Sequence, residues 1–152
     1  MALSVGDLAP DFTTIDQHGN PLTLSSYRGR KVVLYFYPKD DTTGCTAQAC
    51  SLRDRYADLK KAGHEVLGVS IDPEASHRKF IAKYDLPFSL AADTDKKIVE
   101  AYGVWAEKSM YGRKYMGTLR QTFLIDENGF ITSILDKIDT KNHAEQVLAR
   151  PE

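Results

Sequence analysis

Two cysteines lie five positions apart in the segment YPKDDTTGCTAQAC, which runs from Tyr37 to Cys50 and contains every thiol of the chain. Such a pair can be core packing, part of a metal site, or a nucleophile with a second thiol that reacts after it. A structural zinc site takes four Cys or His ligands, yet no histidine lies between His18 and His64. Redox pairs of the thioredoxin type have two residues between the cysteines, whereas this pair has four. Both of these motifs therefore fit poorly.

The surroundings of Cys45 favour a reactive thiol. Cys45 follows Gly44 in the first turn of a predicted helix, just after a predicted buried strand. Backbone N–H groups at a helix start have no partner within the helix, and they stabilise a nearby thiolate. In α/β domains, functional sites commonly lie where strands lead into helices. Because Cys45 also lies on the apolar stripe of its helix, a buried structural cysteine is the alternative.

Helix geometry limits how the second cysteine, Cys50, can react. Five residues of intact α-helix separate two Cα atoms by roughly 8.7 Å, whereas a disulfide needs Cα atoms within roughly 7 Å. The two cysteines therefore cannot bond while the helix persists. If they do bond, one or two turns at the helix start must unwind, and the pair becomes a redox switch with a local folding transition.

Four residues near Cys45 in the expected fold are suited to a reactive pocket. Pro38 has no N–H and would shield the pocket from water, and Thr42 has a hydroxyl that both accepts and donates hydrogen bonds. Gly44 lets the backbone approach a small ligand closely. A cation would complete the site, and Arg120 is the best candidate because it opens a predicted buried strand. Since most arginines are exposed, an ordinary surface role is the alternative for Arg120.

An α/β layered domain is expected to position these residues. The segment KVVLYFYP is apolar on both faces, which predicts a central strand that is covered on both sides. Apolar residues at helical spacing predict a helix from about Thr43 to Lys61, which ends at Gly63. Strands are also predicted in FTTIDQHGNPLTLSS, EVLGVSID and QTFLIDENGFITSIL, and helices in EASHRKFIAKYDL, TDKKIVEAYG and TKNHAEQVL. Strands that alternate with helices and end in a hairpin indicate this fold class.

Length and composition narrow the setting. The 152 residues suit one domain with a full core, and the net charge of −1 attracts neither nucleic acid nor anionic membrane. The first residues, MALSVGDLAP, lack a basic segment followed by an apolar run, so no signal peptide is expected. No apolar stretch approaches the roughly 18 residues of a membrane span. We therefore expect a reducing cytosol, where a close cysteine pair is more often catalytic or metal-binding than structural.

The motif Pro38-x-x-x-Thr42-x-x-Cys45 resembles the active-site motif of the peroxiredoxins. The second cysteine, five residues further on, resembles the bacterioferritin-comigratory-protein subfamily, also called PrxQ. The segments GDLAPDF, GCTAQACSLRD, GVW and RQTFLID are similar to that subfamily too, so the resemblance covers nearly the whole chain. One departure is Thr43, where the subfamily often has Pro. The chain has no third cysteine near its C-terminus, so the peroxiredoxin type that resolves through the tail of a second subunit does not apply.

The resemblance implies a fold and a reaction. The fold is thioredoxin-like, with a central mixed β-sheet flanked by helices and an N-terminal β-hairpin extension, and it forms a single domain over residues 1–152. The reaction is the thiol-dependent reduction of hydrogen peroxide and organic hydroperoxides. It requires no metal, haem or flavin cofactor. We also expect a cytoplasmic enzyme that is a monomer or a weak homodimer.

The resemblance also implies a role for each site residue. Cys45 is the peroxidatic cysteine, and Cys50 resolves it through an intramolecular disulfide. Thioredoxin or a similar dithiol protein then reduces that disulfide. The pocket around Cys45 is lined by Pro38, Thr42 and Arg120.

Two other functions are consistent with parts of the sequence. A redox-sensing module would use the same disulfide switch without catalytic turnover. A Cys-His hydrolase would need His64, His77 or His143 beside Cys45 as its base, but none of the three is predicted at a suitable strand end. We assign no role to the histidines. The segment WAEKSMYGRKYMG has cations and aromatics, yet we interpret this loop as a surface segment and not as a nucleic-acid site. The alternative is that its aromatics cover the pocket or contact a second subunit.

Overall fold

A five-stranded mixed sheet lies at the centre of the computed structural model, which describes residues 3–150. The predicted central strand, β3 (Lys31–Phe36), pairs in parallel with β4 (His64–Ser70) and antiparallel with β8 (Gln121–Ile125). The outer strands are β5 (Ser89–Ala92), parallel to β4, and β9 (Ile131–Leu135), antiparallel to β8. The order is β5-β4-β3-β8-β9. Two residues at each end of the predicted domain, including Met1 and Ala2 of the segment interpreted as lacking a signal peptide, lie outside the described residues.

Helices cover both faces of the sheet, as the two apolar faces of β3 predict. One face packs against α1 (Thr43–Asp54), α2 (Tyr56–Lys61), α3 (Glu74–Tyr84) and α5 (His143–Leu148). The other face packs against α4 (Lys97–Ala101) and the N-terminal segment. Cys45 is part of the hydrophobic core between the sheet and α1, α2, α3 and α5. No helix in residues 3–150 is long and apolar enough to cross a membrane.

Two hairpins lie outside the central sheet. The first pairs β1 (Thr13–Ile15) with β2 (Pro21–Thr23) and confirms the predicted N-terminal extension. The second pairs β6 (Trp105–Met110) with β7 (Arg113–Thr118). This second hairpin corrects the prediction of a surface loop: the segment is at the surface, and Tyr111 at its turn is 99% exposed, but its backbone groups pair with each other.

The predicted helix from Thr43 to Lys61 is two helices, because the backbone of Arg55 leaves the helical region at φ −111°, ψ 17°. This change of direction lets both Leu52 on α1 and Leu59 on α2 lie fully buried. The break keeps the Cys45–Cys50 segment within α1. It therefore leaves the geometric argument about the two thiols unchanged.

Candidate active site

The start of α1 places Cys45 beneath the loop that leaves β3. The first backbone hydrogen bond of α1 runs from Thr46 N to Thr42 O at 2.8 Å, so Thr42 is the N-cap residue. The N–H of Cys45, one residue earlier, therefore has no partner in the helix ladder. The side chain of Cys45 is buried, with 1% of its surface exposed. Its sulfur thus depends on protein donors rather than water to stabilise negative charge.

Arg120 supplies such a donor from the neighbouring element. It lies immediately before β8, and its Nη2 donates to Cys45 Sγ at 3.3 Å. Its Nη1 donates to Gln48 Oε1 at 2.7 Å, so both arms of the guanidinium contact α1. Gly44 makes this approach feasible, because a Cβ at that position would lie 3.2 Å from Arg120 Nη2. The sequence predicts that a small ligand approaches the backbone at Gly44, whereas in the structure the group that approaches is Arg120.

Gln48 is the site residue that the sequence analysis missed. It is fully buried and holds Arg120 through its carbonyl oxygen. Its Nε2 has no hydrogen-bond partner within the described residues. A signal was available, because Gln48 follows Cys45 by three residues and therefore shares its helix face. A polar residue on an otherwise apolar stripe indicates a buried polar contact.

Thr42 and Pro38 lie on the loop side of Cys45. The hydroxyl of Thr42 donates to Lys39 O at 2.8 Å, so its only proton is engaged and its lone pairs are left to accept. Thr42 is exposed, and Pro38 is half-buried just beyond the end of β3.

Cys50 lies on the same helix, and both cysteines are free thiols. Its side chain is half-buried, whereas that of Cys45 is almost completely buried. Since α1 is continuous through both residues, the pair is in the arrangement in which helix geometry keeps the Cα atoms too far apart for a disulfide.

Comparison with known proteins identifies the family. Residues 5–134 match the AhpC/TSA family. The chain belongs to this family. The putative peroxiredoxin bcp of Coxiella burnetii is 47% identical over 150 residues, which are 99% of each chain. Peroxiredoxin Bcp of Escherichia coli K12 is 46% identical over 146 residues, which are 96% of this chain and 94% of that protein.

Solved structures agree with the sequence relatives. A crystal structure of a cysteine-to-serine mutant of Xylella fastidiosa PrxQ superposes with a TM-score of 0.91 at 32% identity, over 97% of this chain and 94% of that one. Xanthomonas campestris peroxiredoxin Q superposes with a TM-score of 0.85 at 37% identity, over 91% and 88%. The predicted resemblance to PrxQ and the predicted thioredoxin-like fold are both confirmed. The protein is a peroxiredoxin of the Bcp/PrxQ type and a thiol-dependent peroxidase.

The histidines of this peroxiredoxin have surroundings that the sequence did not reveal. His77 on α3 is fully buried against Asp40 and Ala91 O. His143 on α5 is also fully buried, and its Nε2 shares a hydrogen bond of 2.8 Å with Thr122. Burial lowers the pKa of His143. His64 opens β4 opposite Lys31 at the start of β3, whereas Cys45 follows the other end of β3, so this strand end does not bring a histidine to the sulfur.

None of these histidines bonds to Cys45 in the part of the chain that the structure describes, where the side-chain donor to its sulfur is Arg120. A Cys-His hydrolase therefore lacks its base. The site instead combines a buried sulfur with a guanidinium and a free helix N–H, which is the arrangement that a thiolate nucleophile requires.

Proposed function

We propose that Cys45 is the peroxidatic cysteine of this peroxiredoxin, that Cys50 resolves it, and that Pro38, Thr42 and Arg120 form the peroxide pocket. The observation that carries the assignment is the 3.3 Å contact between Arg120 Nη2 and Cys45 Sγ at the start of α1. A permanent cation and an unpaired backbone N–H both favour the thiolate over the thiol. Cys50 has no such donor among the hydrogen bonds of the described residues.

In the first step the Cys45 thiolate attacks the terminal oxygen of a peroxide. An S–O bond forms as the O–O bond breaks, sulfur is oxidised to sulfenic acid, and the leaving oxygen takes a proton to give water or an alcohol. Arg120 and the N–H of Cys45 stabilise the charge that develops on the oxygens. Because the proton of Thr42 is engaged by Lys39 O, the Thr42 hydroxyl accepts a hydrogen bond from the peroxide O–H.

In the second step the Cys50 thiol attacks the sulfenic sulfur. The S–O bond breaks, a disulfide between Cys45 and Cys50 forms, and one water leaves. This step requires the first turns of α1 to unwind, since the intact helix holds the Cα atoms roughly 8.7 Å apart. A dithiol protein such as thioredoxin then exchanges its two thiols for the internal disulfide, becomes oxidised itself, and restores both cysteines.

The wider setting is part of the same proposal. The bacterioferritin comigratory protein of Xanthomonas campestris has alkyl peroxide reduction activity, which supports organic hydroperoxides as substrates beside hydrogen peroxide. We place the protein in the cytoplasm, where thioredoxin-type reductants work, as a monomer or weak homodimer without metal, haem or flavin. We also propose that residues 1–152 act as one domain, with no role in binding nucleic acid or membrane.

The test follows each sulfur separately. Wild type, Cys45→Ser and Cys50→Ser are mixed with hydrogen peroxide or an alkyl hydroperoxide, with and without a thioredoxin system, and the products are identified by mass spectrometry. Cys45→Ser should consume no peroxide. Cys50→Ser, which serves as the matched control, should form the sulfenic acid once and then fail to turn over with thioredoxin. Full turnover by Cys45→Ser would overturn the proposal, and a single oxidation of wild type without turnover would favour a redox sensor.

A further inference from the structure

A buried polar cluster holds the loop between β3 and α1. The carboxylate of Asp40, in the middle of this loop, accepts three hydrogen bonds. The Tyr37 hydroxyl donates to Oδ1 at 2.5 Å, the Ser76 hydroxyl donates to Oδ2 at 2.7 Å, and His77 Nδ1 lies 2.7 Å from Oδ2. Burial raises the pKa of Tyr37 well above its usual value, so the hydroxyl keeps its proton and remains a donor. Two of the three donors to Asp40 come from α3.

The hydrogen bonds of His77 hold the side chain of Asp40. Nε2 lies 3.0 Å from Ala91 O, which can only accept, so Nε2 donates. Nδ1 lies 2.7 Å from Asp40 Oδ2 and 3.5 Å from the Tyr37 hydroxyl. The side chains of His77 and Asp40 are 0% and 3% exposed, so their contact is shielded from water.

We propose that His77 is a positioning residue for the peroxide pocket, acting through its Nδ1 bond to Asp40. The inference rests on the proposed role of Cys45. His77 lies on α3 and has no hydrogen bond to Cys45 or to its donor Arg120. It affects the reaction by holding Asp40, the loop residue between Pro38 and Thr42.

Asp40 fixes the backbone of this loop as well as its own side chain. Its backbone N–H donates to Asp72 Oδ2 at 2.8 Å, so hydrogen bonds hold both the backbone and the side chain of Asp40. The next residue, Asp41, has a φ of 56°, a left-handed conformation that is unusual outside glycine. Such a backbone persists only where neighbouring contacts hold it. If the His77 bond is lost, the loop can relax, and Thr42 moves relative to the sulfur of Cys45.

Movement of Thr42 matters because the peroxide must be held in line with the sulfur. A misplacement of about 1 Å in a positioned reactant can cost about 10²-fold in rate. The bonds from Tyr37 and Ser76 remain when His77 is altered, so the loop stays in place but less well defined. We therefore expect a loss of about tenfold in the oxidation of Cys45, smaller than that limit.

Two conservative variants separate the two nitrogens of His77. The amide nitrogen of Asn falls near the position of Nδ1, so His77→Asn keeps a donor to Asp40 and loses the bond to Ala91 O. The amide nitrogen of Gln falls near the position of Nε2, so His77→Gln does the reverse. A purely structural role predicts similar losses, because each variant removes one buried hydrogen bond. The positioning role predicts that only His77→Gln slows Cys45.

The experiment measures the second-order rate of Cys45 oxidation by rapid mixing with hydrogen peroxide, together with the Tm of each variant. We expect His77→Gln to be about tenfold slower and His77→Asn to stay within about threefold of wild type. Val99→Ala is the control for lost stability, since Val99 is fully buried in the core on the opposite face of the sheet. It should lower Tm and leave the rate within about twofold. Equal rates for the two His77 variants, or a slower His77→Asn, overturn the inference.

Two further measurements allow the role of His77 to be judged separately from folding and from the proposed function. Nitrogen-15 NMR of the unaltered protein should find His77 Nδ1 hydrogen-bonded to the Asp40 carboxylate, and an Nδ1 without this bond would overturn the inference even if neither variant folds. Cys45→Ser is measured in parallel. If Cys45→Ser still reduces peroxide, the proposed function fails, whereas an inactive Cys45→Ser with equal His77 variants defeats only the role of His77.

Discussion

The polypeptide on the two sides of Cys45 is held in two different ways. On the loop side (residues 37–42), Asp40 and Asp41 are both bonded to side chains of α3. On the helix side (residues 43–50), the side-chain hydrogen bonds recorded within the described chain are those that Cys45 and Gln48 receive from Arg120. The loop side is thus fixed at several points to a neighbouring helix. The helix side is fixed across the site by one residue.

This difference matches the two steps of the proposed reaction. Attack on peroxide needs a defined pocket, which the loop side provides. Disulfide formation needs residues between the two cysteines to unwind, and beyond the backbone bonds of α1 the helix side has few side-chain hydrogen bonds to break. Just beyond Cys50, Ser51 Oγ accepts from Ala144 N at 3.0 Å and Arg53 donates to Tyr84 O at 2.7 Å. These bonds hold the rest of α1 and limit how far unwinding extends.

Removing Arg120 should have the largest effect, because it acts on both steps in opposite directions. We expect Arg120→Ala to slow Cys45 oxidation by about 10²- to 10³-fold, the usual loss for one donor to a developing oxyanion. Arg120→Lys should recover part of this rate, since it keeps the charge and loses the two-armed contact. Once oxidised, both variants should form the disulfide faster than wild type. Quenched-flow mass spectrometry resolves the two steps.

The control for Arg120 is Arg113→Ala, which removes the same charge from the exposed hairpin β6–β7. It should leave both rates unchanged. Slower disulfide formation in Arg120→Ala would contradict the idea that Arg120 holds the helix side closed.

Gly44→Ala should produce the next largest effect. The new Cβ would lie 3.2 Å from Arg120 Nη2, and Arg120 is held in place by Gln48. We expect Cys45 oxidation to fall by about tenfold. Stability should stay the same or rise by up to about 1 kcal/mol, because Ala favours a helix more than Gly does.

Urea unfolding measures the stability of Gly44→Ala, and the reaction with peroxide measures its rate of Cys45 oxidation. We expect the rate to fall while the stability does not. If Gly44→Ala acts by displacing Arg120, its effect should not add to that of Arg120→Lys in a double-mutant cycle. Additive losses would mean that the methyl group obstructs the peroxide itself and leaves Arg120 in place.

The sequence predicted the site best where its residues are close in the chain. Cys45, Thr42 and Gly44 lie at one strand-to-helix junction, and helix geometry alone shows that Cys50 cannot reach Cys45 without unwinding. Arg120 lies 75 positions from Cys45, and only the resemblance favoured it over an ordinary surface arginine. Its contact with the sulfur depends on the pairing of β3 with β8.

Distant partners explain what the sequence missed. His77 meets Asp40 across 37 positions and Ala91 across 14, so no local spacing indicates the cluster. The strand β5 has only four residues, SLAA, which lack the β-branched side chains that mark a strand. The hairpin β6–β7 is mostly exposed on both faces, so its residues do not alternate between apolar and polar as those of a half-buried strand do.

A pH titration tests a buried histidine beside β8, the strand that follows Arg120. His143 contacts Thr122, two residues after Arg120, and burial holds its pKa below the ordinary value of 6.5. The folded protein therefore binds this proton less readily than the unfolded chain does. The stabilising contribution is complete above pH 6.5 and is lost as the pH falls below that value. One such proton changes the free energy of unfolding by at most about 1.4 kcal/mol per pH unit.

His143→Gln keeps a side chain that can bond to Thr122 but cannot titrate. We expect its free energy of unfolding to fall less steeply than that of wild type between about pH 6.5 and 5. Some slope should remain, because burial also lowers the pKa of His64. Equal slopes in wild type and variant would show that His143 is not charged on unfolding in this range.

The smallest effect is expected at the exposed end of the loop side. Asp41 accepts from Lys83 Nζ and from the Tyr84 hydroxyl, each at 2.8 Å. Asp41→Gly removes both bonds while keeping a residue that adopts the φ of 56° without strain. Because exposed ion pairs contribute little, we expect Cys45 oxidation to slow by only about twofold at low salt.

Salt concentration distinguishes the exposed ion pair of Asp41 from the buried hydrogen bonds of Asp40. At about 1 M salt the Debye length is about 3 Å, so the Lys83 pair is screened and Asp41→Gly should then approach the wild-type rate. Lys83→Gln should behave like Asp41→Gly, and Lys79→Gln, which removes an exposed charge from the same helix, should have no effect at any salt concentration. A tenfold loss in Asp41→Gly that persists at high salt would mean that the exposed end of the loop positions the pocket as strongly as Asp40 does.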